Sequence, residues 1–418
     1  MSLAALSLAA LVVALLASCV LSLNVGILAI ALAWLVGVYA GGMRPEEVMA
    51  GFPAALFLTL AGVTLLFTQA QVNGTLDRIA HRAVSACRGN VFVMPVMVFV
   101  MTAALSSIGP GNIASTALMA PMGMAVAGRY GISPFLMAIM IANGASAGSL
   151  SPIAPTGIIA NNITARIGLP DVQWPIYLNN LVAHTAVAFA GYLLLGGWRL
   201  LSRRPPPPAV AGSAADAPEP FEPRHWLTAG IIASLIVSVV FLEVNVGMAA
   251  FAGATILTLA GAADESLSVR QMPWKVIVMV TGVTVLIALL EKTGGMDLFT
   301  DLLARTATPA TSTAVAAFFT GVISIYSSTT GVVLPALLPT VPGLIERMGG
   351  GDAMALVSSM TVGGHLVDVS PLSTLGALCL AAAPPGTDNR TLFNKLLAWG
   401  LSMTLVAPLI CWVFFGLL

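Results

Sequence analysis

The chain has 418 residues, of which 58% are hydrophobic and only 8% are charged, and its mean hydropathy is +0.96. A soluble domain carries roughly 25% charged residues, so this composition excludes an ordinary soluble protein and predicts one that lies in a bilayer. Lys plus Arg and Asp plus Glu each number 17, a balance that indicates no nucleic-acid partner. No metal site, disulfide framework or cofactor is expected, because paired spacing is lacking among Cys19, Cys87, Cys379 and Cys411.

The first apolar segment could be mistaken for a lipoprotein signal, because Leu16–Cys19 reads LASC. A secretory signal normally begins with positive charge, and no Lys or Arg precedes this segment. The segment also has a counterpart in the middle of the chain. We therefore predict a retained transmembrane helix.

Elements of about 20 apolar residues, the length that crosses the hydrocarbon core, follow one another along the chain. In the first half they are three spans within 2–72 (2–22, 24–42 and 52–72), an amphipathic piece (74–88), an interrupted region (90–128), a broken run (134–165) and a last span (176–200). A polar, proline-rich linker follows at 202–225. The second half has three spans within 226–291 (226–243, 246–262 and 274–291), a polar piece (293–308), an interrupted region (311–345), a broken run (352–382) and a last span (394–417).

The two halves are copies of one unit. LNVGI returns as VNVGM, AGVTLLF as TGVTVLI, and SPIAPTGII as SPLSTLGAL. The offset is 221 between Asn24 and Asn245, 220 between Gly62 and Gly282, and 219 between Ser151 and Ser370. A shift this constant along the whole chain predicts repeat 1 at 1–201 and repeat 2 at 226–418.

The regions 90–128 and 311–345 decide the topology. If both halves of each region cross the membrane, each copy has six crossings and the copies are parallel. If each region enters, turns and leaves on the same side, each copy has five crossings and the copies are inverted. The inverted arrangement places twelve Lys and Arg residues inside and five outside, which the positive-inside rule favours. The fold class is therefore predicted as an all-α polytopic membrane protein with about ten transmembrane helices and two re-entrant helical hairpins. It would lie in the cell (inner) membrane, with extracytoplasmic termini and a cytoplasmic linker.

Small polar residues and proline interrupt four apolar runs. The first copy has SSIGPGNIAST and GSLSPIAPTG, and the second has YSSTTGVVLP and HLVDVSPLSTLG. Each unpaired backbone group in hydrocarbon costs several kcal/mol. Helix packing could explain one such break. Four breaks that are paired between the copies instead favour the substrate site of a transporter, near the middle of the membrane. Helix N-termini there attract anions, whereas free carbonyls suit Na⁺. Since no Lys or Arg lies near these breaks in sequence, we expect dipoles, hydroxyls and a bound cation to hold an anion.

Ionisable residues inside an apolar run are functional candidates. His365 and Asp368 flank the second Ser-Pro break, three residues apart on one helix face, so they could pair or relay a proton. We treat them as candidates for coupling or gating, with a structural pair as the alternative. His184 stands alone in its span and is interpreted as a packing histidine.

A hairpin with a small polar tip, followed roughly 40 residues later by a Ser-Pro break, occurs twice. This pattern resembles the ion transporter superfamily, in particular its divalent anion/sodium symporter branch. The segments GILAIALAWLVGVYAGG and FPAALFLTLAGVTLLFTQAQVNGTLDRIA are similar to malonate/dicarboxylate carriers of the MatC type. The resemblance implies a homodimer and an elevator motion, in which the first three spans of each copy form a static scaffold.

The resemblance also implies site residues. Family hairpin tips carry Ser-Asn-Thr; here the first tip keeps the asparagine but lacks both hydroxyls, and the second has hydroxyls without asparagine. The implied substrate contacts are Asn112, Ser327, Ser328, Thr329, Thr330, Ser151, Pro152, Ser370 and Pro371. The implied Na⁺ ligands are Ser107, Gly111, Asn112, Gly148, Ser149, Thr329, Val369 and Pro371.

We therefore expect a secondary active transporter of a small dicarboxylate, malonate or a C4 acid, coupled to Na⁺ or H⁺. A cation/proton antiporter of the same superfamily, with Asp368 as the carrier, is the alternative. An intramembrane hydrolase would need paired aspartates, HExxH or a serine–base set, and the sequence has none of them, so an enzyme is not expected. A passive channel is disfavoured because paired interruptions suit alternating access better than a continuous pore.

Overall fold

The computed structural model describes residues 2–20, 23–85, 90–202, 220–242 and 244–417. These residues form helices and their connections, and no strand occurs among them. The helices in chain order are α1 (Leu3–Val20), α2 (Val25–Trp34), α3 (Pro45–Met49), α4 (Ala54–Val72), α5 (Thr75–Ser85), α6 (Val93–Ile108), α7 (Gly111–Tyr130), α8 (Pro134–Gly148), α9 (Pro155–Arg166), α10 (Gln173–Leu194), α11 (Pro223–Leu242), α12 (Val246–Leu259), α13 (Glu265–Gln271), α14 (Trp274–Thr293), α15 (Gly295–Ala304), α16 (Ser312–Tyr326), α17 (Leu334–Leu337), α18 (Val341–Met348), α19 (Ala353–Leu366), α20 (Thr374–Ala381) and α21 (Asn389–Cys411).

Several of these helices are extended or joined by 3₁₀ or π-helical turns. α17 and α18 belong to one continuous helical segment, Thr329–Met348, which begins with a π-helical turn. α19 is followed by a 3₁₀ turn, Val367–Val369, and α21 continues as a π-helical turn, Trp412–Gly416. α2 continues in the same way over Leu35–Ala40.

Among the described residues, five helices are long and apolar enough to cross a membrane: Ala54–Val72, Trp274–Thr293, Thr329–Met348, Ala353–Ala381 and Asn389–Gly416. Six shorter apolar helices accompany them in the described part of the chain. The architecture is therefore that of an all-helical, polytopic membrane protein. The arrangement of ten crossings and two re-entrant hairpins stays a prediction.

The predicted linker, 202–225, ends three residues earlier than expected. α11 begins at Pro223, so three residues assigned to the linker are helical. Proline suits a first helical position because its missing N–H would be unpaired there anyway. Residues 203–219 lie outside the described part of the chain.

Corresponding helices of the two copies begin with the same cap. Asn24 Oδ1 accepts a hydrogen bond from Gly26 N at the start of α2, at 2.9 Å. Asn245 Oδ1 accepts one from Met248 N at the start of α12, at 3.1 Å. An asparagine cap supplies an acceptor for N–H groups that lack a partner within the helix.

The first helices of the two copies pack crosswise, and we call α1–α4 with α11–α14 the scaffold. α2 packs on α14, and α4 packs on α12. A Cβ atom on Gly282 would lie 2.2 Å from the Gly26 carbonyl oxygen, and one on Gly62 would lie 2.4 Å from the Gly247 carbonyl oxygen. Small residues allow this close approach. Because Gly26 corresponds to Gly247 and Gly62 to Gly282, the contact is reciprocal, as a two-fold relation between the copies would make it.

The remaining long helices form a second unit, which we call the core (α6–α10 and α16–α21). α6 packs on α8, and in the same way α16 packs on α19. Glycines again mark the contact: a Cβ atom on Gly144 would lie 2.7 Å from Phe99 O, and one on Gly363 would lie 2.5 Å from Ala317 O. α6 and α7 pack side by side as a helical hairpin that turns at Gly109, whose φ is +141°.

Candidate functional site

A cavity of about 390 Å³ lies where the scaffold meets the core. This volume is within the usual range of small-molecule sites, about 300–1,000 Å³. Its scaffold wall is Leu23, Val25, Lys275, Val276 and Met279. Its core wall is Asn112, Ile113, Tyr326, Ser327, Ser328, Thr329, Thr330, Val332, Asp368, Leu372, Ser373, Thr374 and Leu375. The first hairpin tip, the second tip and the second break are thus brought to one place.

A second cavity, of about 240 Å³, adjoins the first. Both cavities share five lining residues, Asn112, Ile113, Val276, Ser328 and Thr330. The hydroxyl groups of Thr156 and Thr330 are hydrogen-bonded at 3.0 Å. This contact ties the first break to the second tip, so residues from both copies form the same cleft.

Five helices begin at the larger cavity, and the first of them in the chain, α2, begins at the lining residue Val25. α7 begins at Gly111, next to Asn112; the segment Thr329–Met348 begins with two lining threonines; α20 begins at Thr374; and α14 begins one residue before Lys275. Each helix N-terminus carries about half a positive charge, and some of its N–H groups are already capped: Ile113 N donates to Asn112 Oδ1 and Gly331 N donates to Ser328 Oγ. Five such termini around one cavity favour an anionic ligand.

Lys275 adds a full positive charge to this cavity wall. Distance along the chain did not indicate Lys275 as a site residue, because it does not show that α14 begins beside the hairpin tips. The Lys275 carbonyl accepts a hydrogen bond from Asn24 Nδ2 at 2.9 Å, which joins the starts of α14 and α2. Its exposed ammonium group makes no hydrogen bond or salt bridge within the described residues. It is therefore available to a ligand.

The two Ser-Pro breaks have the same backbone turns. Ser151 N donates to Gly148 O at 3.2 Å, and Ser370 N donates to Val367 O at 2.9 Å. The next turns match as well: Ala154 N donates to Ser151 O at 2.9 Å, and Ser373 N donates to Ser370 O at 3.0 Å. These bonds satisfy groups that a broken helix would leave unpaired in hydrocarbon.

The glycine that follows each break makes this turn possible. A Cβ atom on Gly157 would lie 1.9 Å from Ser151 O, and one on Gly376 would lie 2.2 Å from Ser370 O. No side chain fits at that distance. The two glycines are 219 residues apart, the same offset as the serines they pack against.

The Ser-Pro dipeptides themselves lie outside both cavities. Ser151, Pro152, Ser370 and Pro371 are absent from the two cavity walls, and Ser370 packs against Gly400 of α21. Residues a few positions later line the cavities instead: Pro155 and Thr156 after the first break, and Leu372, Ser373, Thr374 and Leu375 after the second. Sequence signals for the starts of α9 and α20 could have indicated these lining positions.

Asp368 lies in a cluster of oxygen atoms at the second break. Its carboxylate Oδ1 accepts hydrogen bonds from Ser373 Oγ at 3.0 Å and from Thr329 Oγ1 at 3.2 Å. Thr329 Oγ1 also lies 3.1 Å from Gly364 O and contacts Ser324 Oγ. Hydroxyls, a carbonyl and a carboxylate are the ligands that a hard cation prefers. Val369 and Pro371, the other implied Na⁺ ligands of this copy, are buried beside the cluster.

The first copy has a neutral counterpart. Ser107 Oγ donates to Ala103 O at 2.7 Å and lies 3.0 Å from the Tyr177 hydroxyl. A Cβ atom on Gly148 would lie 2.7 Å from Ser107 Oγ, so these two implied Na⁺ ligands are neighbours. Ser149 Oγ instead donates to Ser146 O at 2.7 Å. Gly111 packs against Pro155, with a would-be Cβ distance of 3.1 Å to Pro155 Cδ.

His365 and Asp368 do not pair with each other. His365 is fully buried, and its Nδ1 bonds to Thr361 O, one turn earlier in α19, at 2.7 Å. Asp368 lies beyond the end of α19, where the helix narrows to a 3₁₀ turn and the carboxylate reaches the hydroxyls of the second tip. His184 is also fully buried and bonds through Nδ1 to Asn143 Oδ1 at 3.0 Å, as a packing histidine would.

A family model matches part of the chain. Residues 1–149 match the model of the dicarboxylate carrier protein MatC N-terminus. An uncharacterized transporter of Mycobacterium tuberculosis (strain ATCC 25618 / H37Rv) is 25% identical over 351 residues, 79% of each chain. A second uncharacterized transporter of the same strain is 23% identical over 341 residues, 77% of each chain.

Two solved structures share the fold. The YdaH transporter of Alcanivorax borkumensis superposes with a TM-score of 0.58 at 16% identity, covering 88% of this chain and 87% of that one. MtrF of Neisseria gonorrhoeae, described with a class of antimetabolite efflux pumps, superposes with a TM-score of 0.56 at 13% identity, covering 100% and 96%. At these identities the likeness concerns the fold alone. The family match and the transporter relatives together indicate a membrane transporter rather than an enzyme.

Proposed function

We propose that this protein is a secondary active transporter of a small dicarboxylate, driven by a cation that moves with it. The observation that carries the proposal is the cavity at the boundary between scaffold and core. Five helix N-termini and Lys275 surround it, together with hydroxyl groups of the second tip. A site of this kind binds carboxylates through oriented N–H groups and one free cation.

The family match narrows the substrate class. The matching model is that of a dicarboxylate carrier N-terminus, and polar side chains, among them Asn112, Thr330 and Ser373, line the cavity. Asn112 and Ser327–Thr330 would contact the carboxylates. A malonate or a C4 acid would leave room for water in 390 Å³.

The oxygen cluster at Asp368 is the site we propose for the driving cation, Na⁺ or H⁺. The cluster borders the cavity through Thr329, Asp368 and Ser373. A cation there would offset the repulsion between the Asp368 carboxylate and an anionic substrate, so that each would strengthen the binding of the other.

The same proposal includes the bounds of the two repeats, their topology in the membrane, the transport motion and the oligomeric state. We place repeat 1 at 1–201 and repeat 2 at 226–418, inverted in the membrane, with ten crossings and two re-entrant hairpins. The core would carry the substrate past a static scaffold in an elevator motion, within a homodimer. The reciprocal glycine contacts of the scaffold support the two-fold relation. Both termini would face outward from the cell membrane and the linker would face the cytoplasm.

Uptake into proteoliposomes tests the proposal. Radiolabelled malonate, succinate and citrate are offered with a Na⁺ gradient and a pH gradient imposed separately. We expect a dicarboxylate to accumulate under one gradient, and Asn112→Ala to reduce uptake by tenfold or more. Asn161→Ala is the matched control, because Asn161 lies in the same core but outside both cavities. Cation exchange without anion uptake would favour the antiporter alternative instead.

A further inference from the structure

Lys275 has no charged counterpart in the other copy. α14 begins after Pro273, and α4 begins after Pro53, 220 residues earlier. At the same offset, the residue that corresponds to Lys275 is Ala55. Both positions lie in the first turn of a scaffold helix, and both are exposed. The two copies thus differ by one positive charge at a matched place.

The cavities meet the two helices at opposite ends. The larger cavity is lined by the first turns of α14, at Lys275, Val276 and Met279. The smaller one is lined by the last turns of α4, from Thr64 to Gln71. The start of α14 and the end of α4 therefore lie at the same end of the scaffold. The start of α4, with Ala55, lies at the other end.

Lys275 belongs to the scaffold, whereas the hydroxyl groups and the Asp368 cluster belong to the core. If the core moves past the scaffold, the tip residues travel with the substrate and Lys275 stays behind. The substrate would then contact the ammonium group of Lys275 at one end of its path and lose that contact as it moves away. At the other end it would meet Ala55, which offers no charge.

We propose that Lys275 makes the transporter asymmetric, by strengthening anion binding only when the core faces the end of the scaffold where α14 begins. This inference rests on the proposed transport of a carboxylate by an elevator motion. In the inverted topology this end is cytoplasmic. The free ammonium group of Lys275 is the specificity-determining contact at that face, and the core residues bind the substrate at both faces.

Affinities measured separately from the two faces of the membrane test the inference. Right-side-out and inside-out membrane vesicles are loaded with unlabelled succinate, and the half-saturating concentration of external radiolabelled succinate is measured in each. We expect Lys275→Met to raise this concentration about tenfold or more at the cytoplasmic face, the effect of a lost charge-assisted hydrogen bond. At the other face the change should stay below about twofold, since the scaffold contact is absent there.

The reciprocal variant sharpens the test. Ala55→Lys should lower the half-saturating concentration at the outer face and leave the cytoplasmic face unchanged. Lys275→Arg keeps the charge and should stay close to wild type at both faces. The final accumulation ratio should be the same in all variants, because a side chain that binds substrate does not alter the driving gradients. A change in that ratio would instead assign Lys275 to coupling and overturn the inference.

The outcomes separate this inference from the proposed function. Equal effects of Lys275→Met at both faces, or no effect at either, would overturn the asymmetric role while leaving transport established. Absence of succinate, malonate and citrate uptake by the wild type in both orientations would overturn the proposed function and this inference with it. Gel filtration and thermal unfolding of each variant show whether the exposed substitutions leave the fold intact.

Discussion

The two broken helices share a backbone turn but differ in the side chains that they carry. Their turns share two backbone hydrogen bonds, which end on the carbonyls of Gly148 and Ser151 in one copy and of Val367 and Ser370 in the other. In each copy a glycine then packs against the serine carbonyl. At the same offset of 219, however, Ser146 and Ser149 of the first copy correspond to His365 and Asp368 of the second. The comparison teaches that both copies share the turn that leads into a helix N-terminus, whereas the ionisable side chains of the break, His365 and Asp368, lie in one copy.

A substitution of the glycine that follows either Ser-Pro break should disrupt the shared turn. Gly157→Ala and Gly376→Ala would each place a Cβ atom within 2.2 Å of a serine carbonyl oxygen. We expect each to lower the free energy of unfolding by about 1–3 kcal/mol, the usual cost of overpacking, and to abolish uptake. Thermal unfolding in detergent measures the first effect. Gly230→Ala is the control, because no atom lies within 4 Å of its would-be Cβ. A tolerated alanine at one break alone would show that the two turns are not equivalent.

The differing side chains can be compared directly. Asp368→Ala removes a carboxylate that two hydroxyl groups donate to, so we expect gradient-driven uptake to fall about tenfold or more. Ser149→Ala, its counterpart in the first copy, removes only a bond to the Ser146 carbonyl and should reduce uptake by less than about threefold. Uptake of radiolabelled dicarboxylate in proteoliposomes measures both. Equal losses would mean that both copies bind the driving cation.

The sequence predicted much of this comparison. Constant offsets and the interrupted apolar runs located both hairpin tips and both breaks, because helix-breaking residues are costly in hydrocarbon and stand out there. It did not predict Lys275 in the cavity wall, since that position depends on how α14 packs against the tips. Nor did it show that Ser-Pro turns lie behind the cavity: the turn itself moves the lining positions on to Thr156 and Ser373. These are facts of packing between elements, which periodicity along one chain does not report.

The hydroxyl pair at the cleft offers a smaller test of the same asymmetry. Thr156 and Thr330 are hydrogen-bonded across the two copies, whereas the counterpart of Thr156 at the offset of 219 is Leu375, which has no hydroxyl group. We expect Thr156→Val and Thr330→Val each to cost about 0.5–1.5 kcal/mol of unfolding free energy. In a double-mutant cycle the costs should be non-additive, because both variants remove the same bond. Additive costs would show that the two hydroxyl groups act independently.

The smallest expected effect concerns the last helix of each copy. Asp388 caps α21 by accepting hydrogen bonds from Arg390 N and Thr391 N, at 3.0 and 3.1 Å, and from the Thr391 hydroxyl. α10 starts after Val172, which provides no side-chain cap. The Thr391 hydroxyl, with help from these backbone N–H groups, holds the pKa of Asp388 below its ordinary value.

A lowered folded-state pKa means that the cap stabilises the protein above the unfolded-state pKa of Asp, about 3.9. The stabilisation is lost as pH falls through the folded-state value. Asp388→Ala should therefore lower the melting temperature slightly and equally at pH 7 and pH 5, and its difference from wild type should shrink below about pH 4. Val172→Ala is the matched control in the first copy, and any effect it has should not depend on pH. A pH-dependent difference for both variants would point to a titration elsewhere in the protein, because Val172 itself has no titratable group.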